Sequence, residues 1–320
     1  MIRDTFFTAL SMGLMAKSPT VEEVLGFCHD RRNRIGSIKV SVDASKIIDL
    51  SGGGGDNIKT INVSTAASLV AATGGLSVAK QAAAAFTGFL GSSDLLNELG
   101  IPIFTDNIER IKIKEELERN NFVAYNYAAL SPERFTNFFR WRKKAVNMGL
   151  KYFIPWHIAS FAYSPIEMEN RIYGLANPRY MRLFAEVLRR LGHKRILVVH
   201  GMSGLDEISN VGRTKIIEVK KRKIIEYCLS PKDFGVRKAK VEDITIKNRK
   251  EGITQFLKVL KGKGKEALHD LVAINAGAAF YLTGIRKSYK EGTRYASRLI
   301  EIGKVSDKLK NIVSNFETLS

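Results

Sequence analysis

The chain has 320 residues, 45% of them hydrophobic, enough to bury a full core in one large domain or one with a smaller companion. The two cysteines, Cys28 and Cys228, lie far apart without metal-ligand spacing, so neither a disulfide framework nor a zinc site is indicated, and a reducing cytoplasm is the simplest setting. The formal charge of +19 favours anionic partners without naming one.

The opening stretch MIRDTFFTALSMGLMAKSPT superficially suits a signal peptide, with a basic residue before about a dozen mostly apolar ones. Asp4 interrupts the charged end and the run is too short to span a bilayer, so a helix is expected. No other stretch reads as a membrane span. TVEEVLGF (20–27) starts a helix with a Thr20/Glu23 capping box. SKIIDL (45–50) reads as a buried strand, STAASLVAATGG (64–75) as an Ala-rich helix closed by glycine, and LSVAK (76–80) as the next strand. MRLFAEVLRRLG (181–192) has apolar residues at helical spacing, and KRILVVHG (194–201) is a β-branched run ending in glycine. Helices between buried strands predict an α/β fold with a mostly parallel central sheet flanked by helices. Between Arg213 and Lys265 the chain carries 17 Lys or Arg against 6 Asp or Glu, a surplus of 11, which reads either as a solvated basic face or as a nucleic-acid surface. His157, His193, His200 and His269 lack ligand spacing and are expected to be core or surface residues.

Between the first strand and the Ala-rich helix lies SGGGGDNIKTINVST (51–65). Glycines after a strand let the main chain approach a ligand closely, and main-chain N–H groups ahead of a helix form an anion site. The loop is therefore expected to hold a phosphate. It is neither a P-loop, since no GK[ST] follows, nor the GxGxxG fingerprint. Asn62, Ser64 and Thr65 stand where they could cap the helix or bind ligand oxygens, and capping accounts for only one of them.

IIDLSGGGGDNIKTINVSTAASLVAA resembles the anthranilate phosphoribosyltransferase pattern, a D-x-x-G-T-G-G-D loop followed by T-F-N-I-S-T-A-A, with Gly53 in place of the loop threonine. VAKQAAAAFTGFLGSSDLLNELGI (78–101), LVVHGMSGLDEIS (197–209) and LVAINAGAAFYLTG (271–284) match three further blocks of that family in order. The resemblance implies an enzyme that joins a phosphoribosyl group from phosphoribosyl diphosphate to an amine or nitrogen heterocycle, using Mg²⁺. It also implies a small helical domain, here 1–38 joined by helices from about 131–166, and a large α/β domain over 39–320. Gly52, Gly54, Gly55, Asp56, Thr60, Asn62, Ser64, Thr65, Lys80 and Ser92 match donor contacts. Asp206 and Glu207 match the acidic pair that holds magnesium, with Ser64 as another ligand. Mg²⁺ is usually held by one or two carboxylates plus the substrate's own phosphates, so an adjacent pair suffices.

The departures fall on the acceptor side. Where the family has K-H-G-N-R this chain has Lys80, Gln81, Ala82, Ala83 and Ala84, and a further acceptor histidine becomes Ser131. The arginine that pairs with the anthranilate carboxylate falls in a stretch where the alignment slips, leaving Arg140, Arg142, Lys143 and Lys144 as candidates. Gln81, Ala83 and Ser131 in place of polar contacts argue against anthranilate as acceptor. The family's first helices, which contribute to its dimer contact, have no counterpart, so homodimerisation is left open. A second reading keeps the fold without catalysis: a paralogue that binds nucleic acid through Arg213–Lys265 and the run RWRKK (140–144).

Overall fold

The computed structural model describes residues 9–10, 12–14, 16–56, 58–84, 89–105, 109–126 and 154–317. Seven strands form one sheet in the order β3-β2-β1-β4-β5-β6-β7: β1 (Ile47–Gly52), β2 (Ser77–Gln81), β3 (Phe122–Tyr125), β4 (Asn170–Gly174), β5 (Arg195–Gly201), β6 (Thr214–Lys220) and β7 (Lys223–Leu229). The first five are mutually parallel, while β6 and β7 join antiparallel at one side. The mostly parallel α/β sheet expected from the sequence is present, with expected and observed element bounds agreeing within two residues.

The parallel strands are apolar on both faces because helices cover both. Ile48, Leu50, Val78, Leu197 and Val199 pack on one side with the helices Val63–Thr73, Glu266–Leu282, Tyr289–Glu301 and Lys304–Glu317. Ile47, Ala79, Tyr173, Ile196 and Val198 pack on the other with Val21–Ile35, Arg110–Asn120, Ile154–Ala162 and Met181–Arg190. The Val21–Ile35 helix begins with the expected reciprocal cap: Glu23 N–H donates to Thr20 Oγ1 at 3.3 Å and Thr20 N–H to Glu23 Oε2 at 2.9 Å. Among the described residues no helix is long and apolar enough to cross a membrane.

Two features position the site. Leaving β1, the sheet grows through β2 and β3 in one direction and through β4 and β5 in the other, so β1 and β4 flank the switch point where open α/β sheets bind ligands at the C-terminal strand ends. Beneath that edge, on the second face, lies an ion pair with both side chains fully buried: Arg171 Nη2 sits 3.2 Å from Asp49 Oδ2, and the two residues face each other across β1 and β4. Asp49 Oδ1 also accepts from Ser51 Oγ at 2.8 Å and from Gln81 N–H at 3.3 Å. Arg171 Nη2 donates to Phe161 O.

The basic segment holds the β6–β7 hairpin, which a reading by charge did not anticipate. Arg195 of β5 pairs with Lys220, so the tip of the hairpin lies at the N-terminal end of the parallel strands, opposite the switch-point edge.

Because the ion pair is wholly desolvated, Asp49→Ala should strand a buried guanidinium and lower stability by about 3–5 kcal/mol. Asp49→Leu combined with Arg171→Met should lose less than the single change. Urea unfolding of the two variants measures the difference, and an Asp49→Ala midpoint equal to wild type would show that the pair contributes nothing.

Candidate active site

At the switch point the chain comes unusually close to itself. A Cβ at Gly174, the last residue of β4, would lie 1.5 Å from the main-chain oxygen of Asp206, and one at Gly52, the last residue of β1, 2.5 Å from Asp206 Oδ2. Only glycine at both strand ends leaves room for the 206–207 loop. The glycine loop then turns through Gly54 (φ +68°) and Gly55 (φ +90°), a left-handed path that L side chains resist.

Two main-chain N–H groups of this loop bond to oxygens of the protein itself. Gly53 N–H donates to Gly174 O at 2.9 Å, and Gly54 N–H donates to Asp206 Oδ2 at 2.6 Å. A carboxylate of the protein itself occupies the anion position. The loop thereby anchors Asp206, which is 7% exposed, at the mouth of a cleft lined also by Asp56, Glu207, Ser64, Lys59 and Ser92. From the other side Asn275 clamps the same loop: its Oδ1 accepts from Ile208 N–H at 3.1 Å and its Nδ2 donates to Ile208 O at 2.9 Å and Leu271 O at 2.8 Å.

Three carboxylates therefore share one poorly solvated site. Burial raises Asp56 to about 7, with the Asp206 carboxylate adding to the shift and Lys59 opposing it. Burial likewise raises Asp206, against the Gly54 N–H bond, and pushes Glu207 well above the usual carboxylate range, helped by the Asp206 and Asp56 charges. Glu207 Oε2 is buried with no hydrogen-bond partner. Lys80, 1% exposed, lies under the site, where burial lowers it to about 8. Its ammonium donates inward, to Leu50 O at 2.8 Å and Ser64 Oγ at 3.3 Å.

Gly52, Gly54, Asp56, Thr60, Asn62, Ser64, Ser92, Asp206 and Glu207 all line one cleft, as do Ala83 and Ala84. Thr65 is outside it, fully buried one residue further into the helix, and Gly55 shapes the loop without lining the cleft. Asn62 makes no side-chain cap; its Nδ2 donates to Leu90 O at 3.0 Å, tying the helix start to the opposite wall. Ser92 Oγ accepts from Ala83 N–H at 3.0 Å. Gln81, expected at the acceptor side, is 6% exposed and turned away: its Nε2 donates to Ser160 O at 2.8 Å. Strand alternation explains this, since Lys80 already faces the cleft side and its neighbour must point to the other face. Ser131, Arg140, Arg142, Lys143 and Lys144 lie outside the described residues. His193 and His200 are buried, each with Nδ1 at a main-chain oxygen, Met168 O at 2.7 Å and Leu175 O at 2.8 Å. Gly174 and Asn275 escaped the sequence reading, although Asn275 lies within the quoted block LVAINAGAAFYLTG.

A glycosyl-transferring α/β domain is the class that this fold and cleft define, for the model of the "Glycosyl transferase family, a/b domain" matches residues 44–144 and 160–306. Anthranilate phosphoribosyltransferase from Thermoanaerobacter sp. (strain X514) is 34% identical over 304 residues, 94% of this chain and 86% of that one. The enzyme of the same name from Corynebacterium efficiens is 36% identical over 270 residues, 84% of this chain and 76% of that one. The crystal structure of anthranilate phosphoribosyltransferase from Thermus thermophilus superposes with a TM-score of 0.83 at 28% identity, covering 97% of this chain and 89% of that chain. The yeast enzyme in complex with PRPP and Mg has the same fold, with a TM-score of 0.75 at 23% identity over 91% of this chain and 80% of that one. The chain belongs to the anthranilate phosphoribosyltransferase family of pentosyltransferases.

Gly174→Ala would drive a methyl group into the Asp206 carbonyl, and no side chain can move aside to admit it. Overpacking of this kind costs about 1–3 kcal/mol or more. A lower melting temperature is expected, together with loss of ligand binding in whatever protein stays folded. Wild-type values for both would show that the loop relaxes freely.

Proposed function

We propose that the chain transfers the 5-phosphoribosyl group of phosphoribosyl diphosphate to an amine or nitrogen-heterocycle acceptor, in a Mg²⁺-dependent reaction. The observation that carries this reading is the anchoring of Asp206 by the glycine loop beside Glu207 and Asp56 at the switch point. Transfer breaks the C1–O bond to diphosphate and forms a C1–N bond, with the acceptor losing a proton. Positive character develops on the ribose and negative charge on the leaving group, and both need fixed charges nearby.

The donor set fits magnesium. Among the described residues no three His, Cys, Asp or Glu side chains are grouped to hold an ion alone, which suits a cation that takes one or two carboxylates and completes its shell with water and substrate phosphates. Asp206 and Glu207 would hold it, with Ser64 at their side, and the unpartnered Glu207 Oε2 supports that role. The bound ion would stabilise charge on the departing diphosphate. The residues of the chain do the rest: the glycine turn and Asn275 fix the acidic loop, and Lys80 supplies a buried positive charge beneath Ser64.

The cleft lining also includes the apolar side chains of Ala83, Ala84, Phe89 and Phe161, which we assign to the acceptor side. That side suits a flat apolar body and offers no polar partner at positions 83 and 84, which supports an acceptor other than anthranilate. The helix Val21–Ile35 bonds to Ile154–Ala162, with Arg31 Nη2 donating to Ser160 Oγ at 2.8 Å, which associates 1–38 with the later helices while both also pack against the sheet. The free thiols of Cys28 and Cys228 accord with a cytoplasmic enzyme.

Titration calorimetry with phosphoribosyl diphosphate and Mg²⁺ tests the reading. The wild type should bind, Asp206→Asn with Glu207→Gln should bind at least tenfold more weakly, and anthranilate fluorescence should decay far below a typical kcat of about 10 s⁻¹. Absence of binding by the wild type would remove the basis for the site.

A nucleic-acid reading of the charge has one observation in its favour. Lys220, Lys221, Arg222 and Lys223 are all exposed at the hairpin tip, where Lys221 (φ +50°) and Arg222 (φ +65°) hold a left-handed turn better suited to Asn and Gly. The tip lies away from the cleft, so neutralising these four should leave donor binding unchanged. Duplex DNA should bind the wild type only at about 10⁻⁴ to 10⁻⁶ M at physiological salt, as for basic proteins in general. A nanomolar complex abolished by the four changes, with no pyrophosphate released in the presence of any acceptor, would reverse the order of the two readings.

A further inference from the structure

The charge lining the cleft does not match the substrate proposed for it. Asp56, Asp206 and Glu207 present three carboxylates, whereas phosphoribosyl diphosphate is itself a multiple anion. Lys80 lies beneath the cleft and spends its bonds on Leu50 O and Ser64 Oγ. Among the described lining residues one cation remains, Lys59.

Its surroundings suit a mobile charge on a fixed base. Ile246 N–H donates to Lys59 O at 2.8 Å, pinning the backbone of residue 59 to another part of the cleft wall. The ammonium donates to Asp56 O at 3.1 Å and makes no ion pair among the described residues. It lines the same cleft as Asp56 and as Asp206, one of the two carboxylates that would hold magnesium, and its charge opposes the upward shift of both. A lysine with one main-chain partner and a flexible stem can turn to a phosphate at little cost, because a single neutral acceptor is all it gives up.

We infer that Lys59 is a ligand of the donor's diphosphate group, sharing with the metal the neutralisation of charge that the acidic cleft cannot supply. This rests on the phosphoribosyltransferase reading and adds a binding residue to it.

The test compares wild type, Lys59→Met and Lys59→Arg by calorimetry in Mg²⁺, with phosphoribosyl diphosphate, inorganic pyrophosphate and ribose 5-phosphate as separate probes. A charge-assisted hydrogen bond to phosphate makes about a 10- to 100-fold difference in affinity. Lys59→Met should weaken phosphoribosyl diphosphate and pyrophosphate by that factor and ribose 5-phosphate little. Lys59→Arg should recover part of the loss, and the unliganded melting temperature should not move. In turnover the effect should fall on the KM for donor more than on kcat. Equal binding by wild type and Lys59→Met overturns the inference alone, and a loss confined to ribose 5-phosphate overturns the assignment to the diphosphate. No binding by the wild type overturns this inference and the functional reading together.

Discussion

The main-chain oxygen of Asp206 sits where a side chain on Gly174 would begin. Most of the site depends on that contact. It brings a loop that follows β5 across the ends of β4 and β1, so a carboxylate far along the chain meets the glycine turn that follows the first strand. Asn275 holds the loop from the opposite side with both ends of its amide, so the acidic pair is supported by the sheet on one flank and by a buried helix on the other. Functional groups held this way are positioned by packing before any ligand arrives.

The arrangement opposes its own stability. Carboxylates brought together and desolvated resist ionising, and all three in this cleft titrate above their ordinary range, chiefly through burial. A structure selected for stability alone would separate them or pair each with a cation. Nearby lysines relieve the strain in part: Lys59 acts on Asp56 and Asp206, and Lys80 acts on Glu207 from below. What remains is a site whose free energy falls when positive charge enters, a property suited to a metal-dependent enzyme.

Legibility in the sequence followed the range of the interaction. The strand IIDL, the Ala-rich helix and the Thr20/Glu23 cap were readable because alternation, helical spacing and capping act over a few residues. The glycine loop and Asp206–Glu207 were readable as one site through their ordered resemblance to a family. Gly174 was not, since nothing local in NRIYGLA tells of a loop thirty or so residues later pressing on it. Neither was the use of the loop's N–H groups within the protein: Gly53 N–H donates to the Gly174 carbonyl and Gly54 N–H to the Asp206 carboxylate. Gln81 aligns by motif with an acceptor residue, but the two-residue period of β2 turns its side chain to the face opposite Lys80. The β6–β7 hairpin is masked by the charge of its lysines, although TKIIEVK and KIIEYCL carry β-branched residues suited to strands.

The buried Asp49–Arg171 pair has a bearing on folding errors. Sliding β1 along β4 by two residues would return every apolar side chain to its own face, so hydrophobic patterning tolerates that slip. The charges do not tolerate it, because a displaced Asp49 and Arg171 would each be left in a dry interior without a counter-ion. Three residues further along the same two strands, the correct alignment sets Gly52 beside Gly174. A slipped sheet would put a side chain in the gap that the Asp206 loop must enter, so the register that pairs these charges is also the register that keeps the gap open.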